Sequence, residues 1–155
     1  MASQFVLNTD GGARGNPGPA GAAYVLRDPD GNIVASAGHF LGETTNNVAE
    51  YRALICGLRR ALEDGATPLL VCADSELMVK QLTGHYRVKN EGLKPLFEEA
   101  VGLIRRLGEV RVKHVRRADN KDADALANEA MDARADVGDA GGHPDDGCGR
   151  ETLFG

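Results

Sequence analysis

Four short acidic motifs carry the residues best able to do chemistry: Asp10 in LNTDGGARGNPG, Glu50 in TTNNVAEYRAL, Asp74 in VCADSELMVKQL and Asp124 in NKDADALANEA. Each acid falls where the local pattern has a regular element starting or stopping. A buried, unpaired carboxylate costs several kcal/mol or shifts its pKa until it is neutral, so acids in such places are a poor way to build a core. Gathered together they would offer only oxygen ligands, the set that suits Mg²⁺, which keeps some of its waters and takes substrate phosphates. Each acid alone has a plainer reading. Asp10 can end a strand and bond its own turn. Glu50 can close a capping box begun at Asn47, and Asp74 can complement a helix dipole. Asp119 and Asp122 lie close enough to Asp124 to compete with it. Helical phase selects Asp124, beside the face that carries Ala127 and Met131, and turns Asp122 away.

The elements that must position these acids follow from periodicity. Gln4–Asn8 reads as a strand running into Thr9-Asp10 and a glycine-rich turn, Gly11 to Gly18. Gly21–Arg27 and Ile33–Phe40 flank Asp28-Pro29-Asp30-Gly31-Asn32, a tight reversal between antiparallel strands. From Asn47, the positions Val48, Tyr51, Leu54, Ile55, Leu58 and Leu62 recur at helical spacing until Asp64-Gly65 stops them. Leu69–Ala73 is the apolar run of a central parallel strand with Asp74 at its carboxyl end, and Ser75 can cap a helix to about Leu82. Leu93–Leu107 is helical, Val110–Val115 is the last strand, and Asn120 caps a final helix through Arg134. The order βββ-α-β-α-α-β-α is an α/β protein with a five-stranded mixed sheet, three strands antiparallel and then two parallel, flanked by helices. Its strand ends form a crevice at which the acids of the first and fourth strands lie side by side, with two helix-borne acids approaching from either side.

Composition sets the limits. The 155 residues suit one folded domain, expected over residues 1–135, followed by a Gly/Asp-rich flexible tail or linker at 136–155. No apolar run approaches the roughly 20 residues that span a bilayer, and the expected compartment is the cytoplasm. Cys56, Cys72 and Cys148 share no metal-ligand spacing and read as buried thiols. Net charge is −5, of which the segment from Asp132 onward contributes −4, so bulk charge neither supports nor excludes a nucleic-acid partner. No interface pattern is visible, and a monomer is expected.

In order and interval, TDGG with a downstream GNPG, TTNNVAEYRAL, ADSELMVKQL and NKDADALANEA resemble ribonuclease H of type I. The resemblance spans about residues 4 to 133. It implies the ribonuclease H-like fold and an endonuclease that cleaves the RNA strand of RNA–DNA hybrids. It also implies that Asp10, Glu50, Asp74 and Asp124 hold two Mg²⁺ ions about 4 Å apart, with Mn²⁺ a possible substitute. Products would carry 5′-phosphate and 3′-hydroxyl ends. By the same analogy, Asn16, Asn46 and Asn47 touch the hybrid's minor groove, a backbone N–H of Gly11 or Gly12 contacts the RNA strand, and Thr45 holds a DNA phosphate.

Two departures from the family pattern stand out. Many relatives carry a mobile histidine in the loop before the last acidic helix, whereas this loop reads Arg116-Arg117-Ala118-Asp119-Asn120, so Arg116 or Arg117 is expected to assist phosphate handling or product release. The tryptophan-rich basic handle of some relatives is also missing. The chain has no Trp, and only His85, Arg87, Lys89 and Lys94 occupy that region. Two other readings stay open at this stage: a noncatalytic hybrid- or RNA-binding module, against which the full set of acids argues, and one domain of a larger enzyme.

Overall fold

Small and β-branched residues dominate the first third of the chain, and they pair into a meander that continues further than glycine content alone suggests. In a computed structural model, which describes residues 3–138, β1 (Phe5–Ala13), β2 (Gly18–Arg27) and β3 (Ile33–Thr44) are antiparallel neighbours. They are followed by α1 (Asn46–Asp64), β4 (Leu69–Ala73), α2 (Glu76–Leu82), α3 (Lys94–Leu107), β5 (Val110–His114), α4 (Lys121–Ala133) and β6 (Val137–Gly138). The sheet order is β5-β4-β1-β2-β3-β6, with β1, β4 and β5 mutually parallel. The ribonuclease H-like α/β architecture expected from the sequence is therefore present.

Several boundaries differ from expectation, β2 starting at Gly18 and β3 running on to Thr44 among them, and two differences change how the sheet is built. The sheet has six strands rather than five, because Val137 and Gly138 pair with Gly38 and Ala37 at the free edge of β3. Asp136 secures that junction by accepting the Phe40 amide at 3.1 Å, so the segment read as tail begins with ordered pairing. The rest of it, with Cys148, lies outside the described residues. The second difference is in β1, which runs through the expected turn to Ala13, with Gly11 opposite Ala22 and Gly12 opposite Gly21. Glycine within a strand often marks close approach of another backbone. That is the case at Gly11, where a Cβ would sit 2.2 Å from the carbonyl oxygen of Ala49 and 2.6 Å from the Glu50 nitrogen. The missing side chain lets the first turns of α1 rest on β1.

One face of the sheet packs against α1 through Leu7, Leu26, Leu54, Leu58, Leu69 and Val71, all almost fully buried. Burying each such side chain is worth roughly 1.5–3 kcal/mol before conformational entropy is subtracted. The opposite face carries α4, held by Ala23, Ala127 and Met131. This contact is close: a Cβ on Gly21 would lie 2.7 Å from the Ala127 carbonyl oxygen, and one on Gly38 would lie 2.5 Å from that of Leu126. Small residues on β2 and β3 thus set the height of α4 above the sheet, and with it the position of Asp124 one turn earlier. Among the described residues, no helix is long and apolar enough to cross a membrane. Cys56 and Cys72 are buried free thiols, as expected.

Candidate active site

Asp10 lies inside β1 rather than at its end, but the parallel pairing of β1 with β4 stops at Thr9 and Ala73. Asp10 and Asp74 are therefore the first residues beyond that ladder, on neighbouring strands. Glu50 arrives from α1, whose start also differs from expectation. Thr45 is the N-cap, accepting the Val48 amide at 3.2 Å, so Asn47 is in the first turn and Glu50 is two residues beyond the position that would close a capping box. Released from capping, Glu50 sits over Gly11, whose N–H faces its carboxylate. One carboxylate oxygen from each of Asp10, Glu50 and Asp74 lies within 4.8 Å of the others. Asp124 is outside that trio, yet close enough to hydrogen-bond Asp10 from α4.

The electrostatics are those of carboxylates crowded without compensating charge. Asp10 is 5% exposed. Burial, then the charges of Asp74 and Asp124, push its pKa up to about 8. Burial, then Asp10 and Asp74, push Glu50 up to about 9, against a weaker lowering by the Gly11 N–H and by Arg117. Glu50 Oε1 is buried with no hydrogen-bond partner. A divalent cation would meet that orphaned acceptor and the excess negative charge together, and the donor set is entirely hard oxygen. The residues present thus fit a Mg²⁺-type centre. Asp10, Glu50 and Asp124 line an open pocket of about 390 Å³ with Gly12, Arg14, Asn46, Arg117 and Asn128.

The rival acids are engaged elsewhere: Asp122 pairs with Arg27, and Asp119 lies 3.7 Å from Arg116. The two loop arginines therefore part company, since only Arg117 lines the pocket. Replacing Arg117 by Ala is expected to lower turnover about tenfold, the loss of one hydrogen bond to a charged group. Arg116→Ala should leave turnover near the wild-type value. Steady-state kinetics on a saturating substrate reads both.

The short amides expected to contact substrate first of all knit the site together. Asn16 Oδ1 accepts the Asn46 amide at 3.0 Å, and Asn46 Oδ1 accepts the Ala13 amide at 2.7 Å, tying the β1–β2 loop to the start of α1. Their carbonyl oxygens are engaged, which leaves the NH₂ groups of these exposed side chains as donors for a ligand. Asn47 is exposed beside them. Along β1 the Gly12 N–H falls on the side that pairs with β2, as the Arg14 N–H bond to Pro19 shows, whereas the Gly11 N–H faces Glu50. In the handle region, His85 bonds Thr83 and Lys94 pairs with Glu91, while Arg87 and Lys89 are exposed.

Sequence reasoning missed three residues. Arg14 pairs with Asp132 at 2.7 Å and reaches Asn128 at the pocket rim, and Asn128 in turn donates to the Asp124 carbonyl at 3.0 Å. Asn128 could have been found as the residue one turn beyond Asp124. Asn120 occupies the expected cap position of α4, but its side chain makes no cap hydrogen bond and turns into the sheet instead. His114 is exposed at the end of β5.

Comparison with known proteins agrees with this geometry. A family model described as reverse transcriptase-like matches residues 8–130, a span that includes all four acids. The crystal structure of RNase H1 from Halobacterium salinarum superposes with a TM-score of 0.81 at 42% identity, covering 84% of this chain and 98% of that one. The chain belongs to the type 1 ribonuclease H family. A second member of this ribonuclease H family, LC11-RNase H1, was solved in complex with an RNA/DNA hybrid. It matches with a TM-score of 0.81 at 41% identity over 84% of this chain and 99% of that one. The bifunctional protein Rv2228c of Mycobacterium tuberculosis is 44% identical over 142 residues, which is 91% of this chain. The chain spans only 39% of that relative's length.

Proposed function

We propose that this protein is an endonuclease that hydrolyses the RNA strand of RNA–DNA hybrids with divalent metal. The observation that carries the reading is the convergence of carboxylates from distant parts of the chain: Asp10, Glu50 and Asp74 within 4.8 Å of one another, Asp124 beside Asp10, and a buried Glu50 oxygen left without a partner. Asp10, Glu50, Asp74 and Asp124 would hold two Mg²⁺ ions, with Mn²⁺ able to substitute. When bound, the metal supplies an activated water and charge neutralisation at the leaving 3′ oxygen, giving 5′-phosphate and 3′-hydroxyl ends. The protein's own part is to keep four like charges converged and to orient the substrate. The NH₂ groups of Asn16, Asn46 and Asn47 would read sugar hydroxyls across the shallow minor groove, where a 2′-hydroxyl distinguishes RNA from DNA. Thr45 lies at the start of α1, where a DNA phosphate would meet the positive end of the helix dipole. Arg117, which lines the same pocket as Asp10, Glu50 and Asp124, would meet the substrate phosphate.

The LC11-RNase H1 complex supports the hybrid as substrate. Residues 1–135 would act as the catalytic unit, monomeric and cytoplasmic. The 39% coverage of the M. tuberculosis relative favours a second arrangement, in which the same unit is one domain of a longer enzyme. Substrate choice is tested by offering the protein a hybrid, an RNA duplex and a DNA duplex of one sequence in Mg²⁺. The hybrid's RNA strand should be cut and both other duplexes left intact. Equal cutting of the RNA duplex would remove the hybrid assignment.

A further inference from the structure

Asn120 is 1% exposed at the junction between the Arg117–Asp119 turn and α4. An asparagine before a helix normally spends its side-chain oxygen on the first free amides. This one does not. Its Nδ2 donates to the Thr9 carbonyl at 2.8 Å and lies 3.5 Å from Asp74 Oδ2, and its Oδ1 accepts from Asn8 Nδ2 at 2.9 Å. Its backbone carbonyl accepts the Asp124 amide at 3.1 Å. One buried residue therefore reaches the peptide preceding Asp10, the carboxylate of Asp74 and the backbone of Asp124.

The orientation of the Asn120 amide decides whether this arrangement helps or harms the site. With the NH₂ toward Thr9 and Asp74, two acceptors meet donors. Flipped, the carbonyl oxygen would face two other oxygens. The Thr9 carbonyl sets that choice, because a backbone carbonyl can only accept, and the Asn8 amide complements it by donating to Oδ1. Asn8 is on β1 two residues before Asp10, on the same face of the sheet.

We infer that the Asn8–Asn120 amide pair is a positioning device for the metal-binding carboxylates, with Asn120 orienting Asp74 against Asp10 and Asn8 holding the Asn120 side chain in place. The inference rests on the metal-dependent reading above. A donor that orients a ligating carboxylate from outside the coordination shell typically changes metal affinity 10- to 100-fold. The 3.5 Å separation from Asp74 is long for a hydrogen bond, as is common in catalytic sites without ligand, and leaves room to tighten as the site fills.

The test is Mg²⁺ binding by calorimetry, with melting temperature in the presence and absence of Mg²⁺, on the full chain, Asn120→Ala and Asn8→Ala. Asn120→Ala should bind Mg²⁺ about 10- to 100-fold more weakly, and Asn8→Ala about tenfold more weakly. Both should lose most of the Mg²⁺-induced rise in melting temperature. Asn8 makes one side-chain hydrogen bond and is only partly buried, so its variant carries the test if Asn120→Ala does not fold. Variants with lowered metal-free melting temperatures but wild-type Mg²⁺ affinity would overturn the positioning role and leave the metal reading intact. A wild-type protein that bound no Mg²⁺ would overturn the metal reading itself.

Discussion

Asp10→Asn is expected to reduce hybrid cleavage on the order of 10³-fold or more, and at the same time to make the metal-free protein more stable at pH 8. The two effects have one cause. Asp10 is buried between Asp74 and Asp124, which together with desolvation push its pKa up to about 8. An acid whose pKa is raised in the folded state binds more protons folded than unfolded, so its unfavourable contribution grows as pH climbs from about 4 toward the folded value. Glu50, raised to about 9, acts in the same direction. The metal-free wild type should therefore lose stability between pH 5 and 8, by a few kcal/mol in total. Asparagine keeps the shape without the charge, so Asp10→Asn should flatten that slope and melt roughly 5 °C higher than wild type at pH 8. Mg²⁺ competes with protons for the same oxygens, so its stabilisation of the wild type should grow with pH across this window. Thermal melts at several pH values, with and without Mg²⁺, measure all of this. A metal-free wild type that became more stable toward pH 8 would contradict the electrostatic account.

Gly11→Ala should be the most damaging single-methyl change. The added Cβ would meet the Ala49 carbonyl at 2.2 Å and the Glu50 nitrogen at 2.6 Å, and both are backbone atoms inside a helix that cannot rotate aside. Either β1 bends or the first turns of α1 lift from the sheet. Overpacking of this kind costs about 3 kcal/mol. Because the displaced atoms carry Glu50, turnover should fall about 100-fold, the scale of a 1 Å misplacement in a preorganised site. Gly12→Ala supplies the comparison in stability, since its added carbon would find only Asn46 Oδ1 at 3.8 Å and should leave the melting temperature nearly unchanged. If both variants melted alike, the close approach at Gly11 would not be the feature that holds Glu50 in place.

The acids were legible in the sequence only as a set, through their convergence at element ends and the family resemblance, and helical phase separated Asp124 from Asp122, which in the structure pairs with Arg27. Leu69–Ala73 was legible to the residue, since a short apolar run in an α/β pattern leaves few alternatives. What stayed hidden shares a physical reason: a local motif that satisfies one rule while tertiary packing uses it for another. Gly11 and Gly12 read as turn residues, but the glycine at position 11 serves the approach of α1. Asn120 reads as a cap because capping is what an asparagine before a helix does locally, and only the proximity of β1 and Asp74 redirects it. Val137-Gly138 has no strand pattern of its own. It pairs because β3 offers a free edge and Asp136 holds the Phe40 amide.

The central claim is that these converged carboxylates bind divalent metal in order to cut RNA paired with DNA. It is tested most directly by incubating wild type and Asp10→Asn, each with Mg²⁺ and with EDTA, on a hybrid labelled at one end of its RNA strand. The account predicts a ladder of RNA fragments from wild type with Mg²⁺ and an intact strand in the other three reactions. An intact strand with wild type and Mg²⁺, or equal cutting by Asp10→Asn, would contradict it.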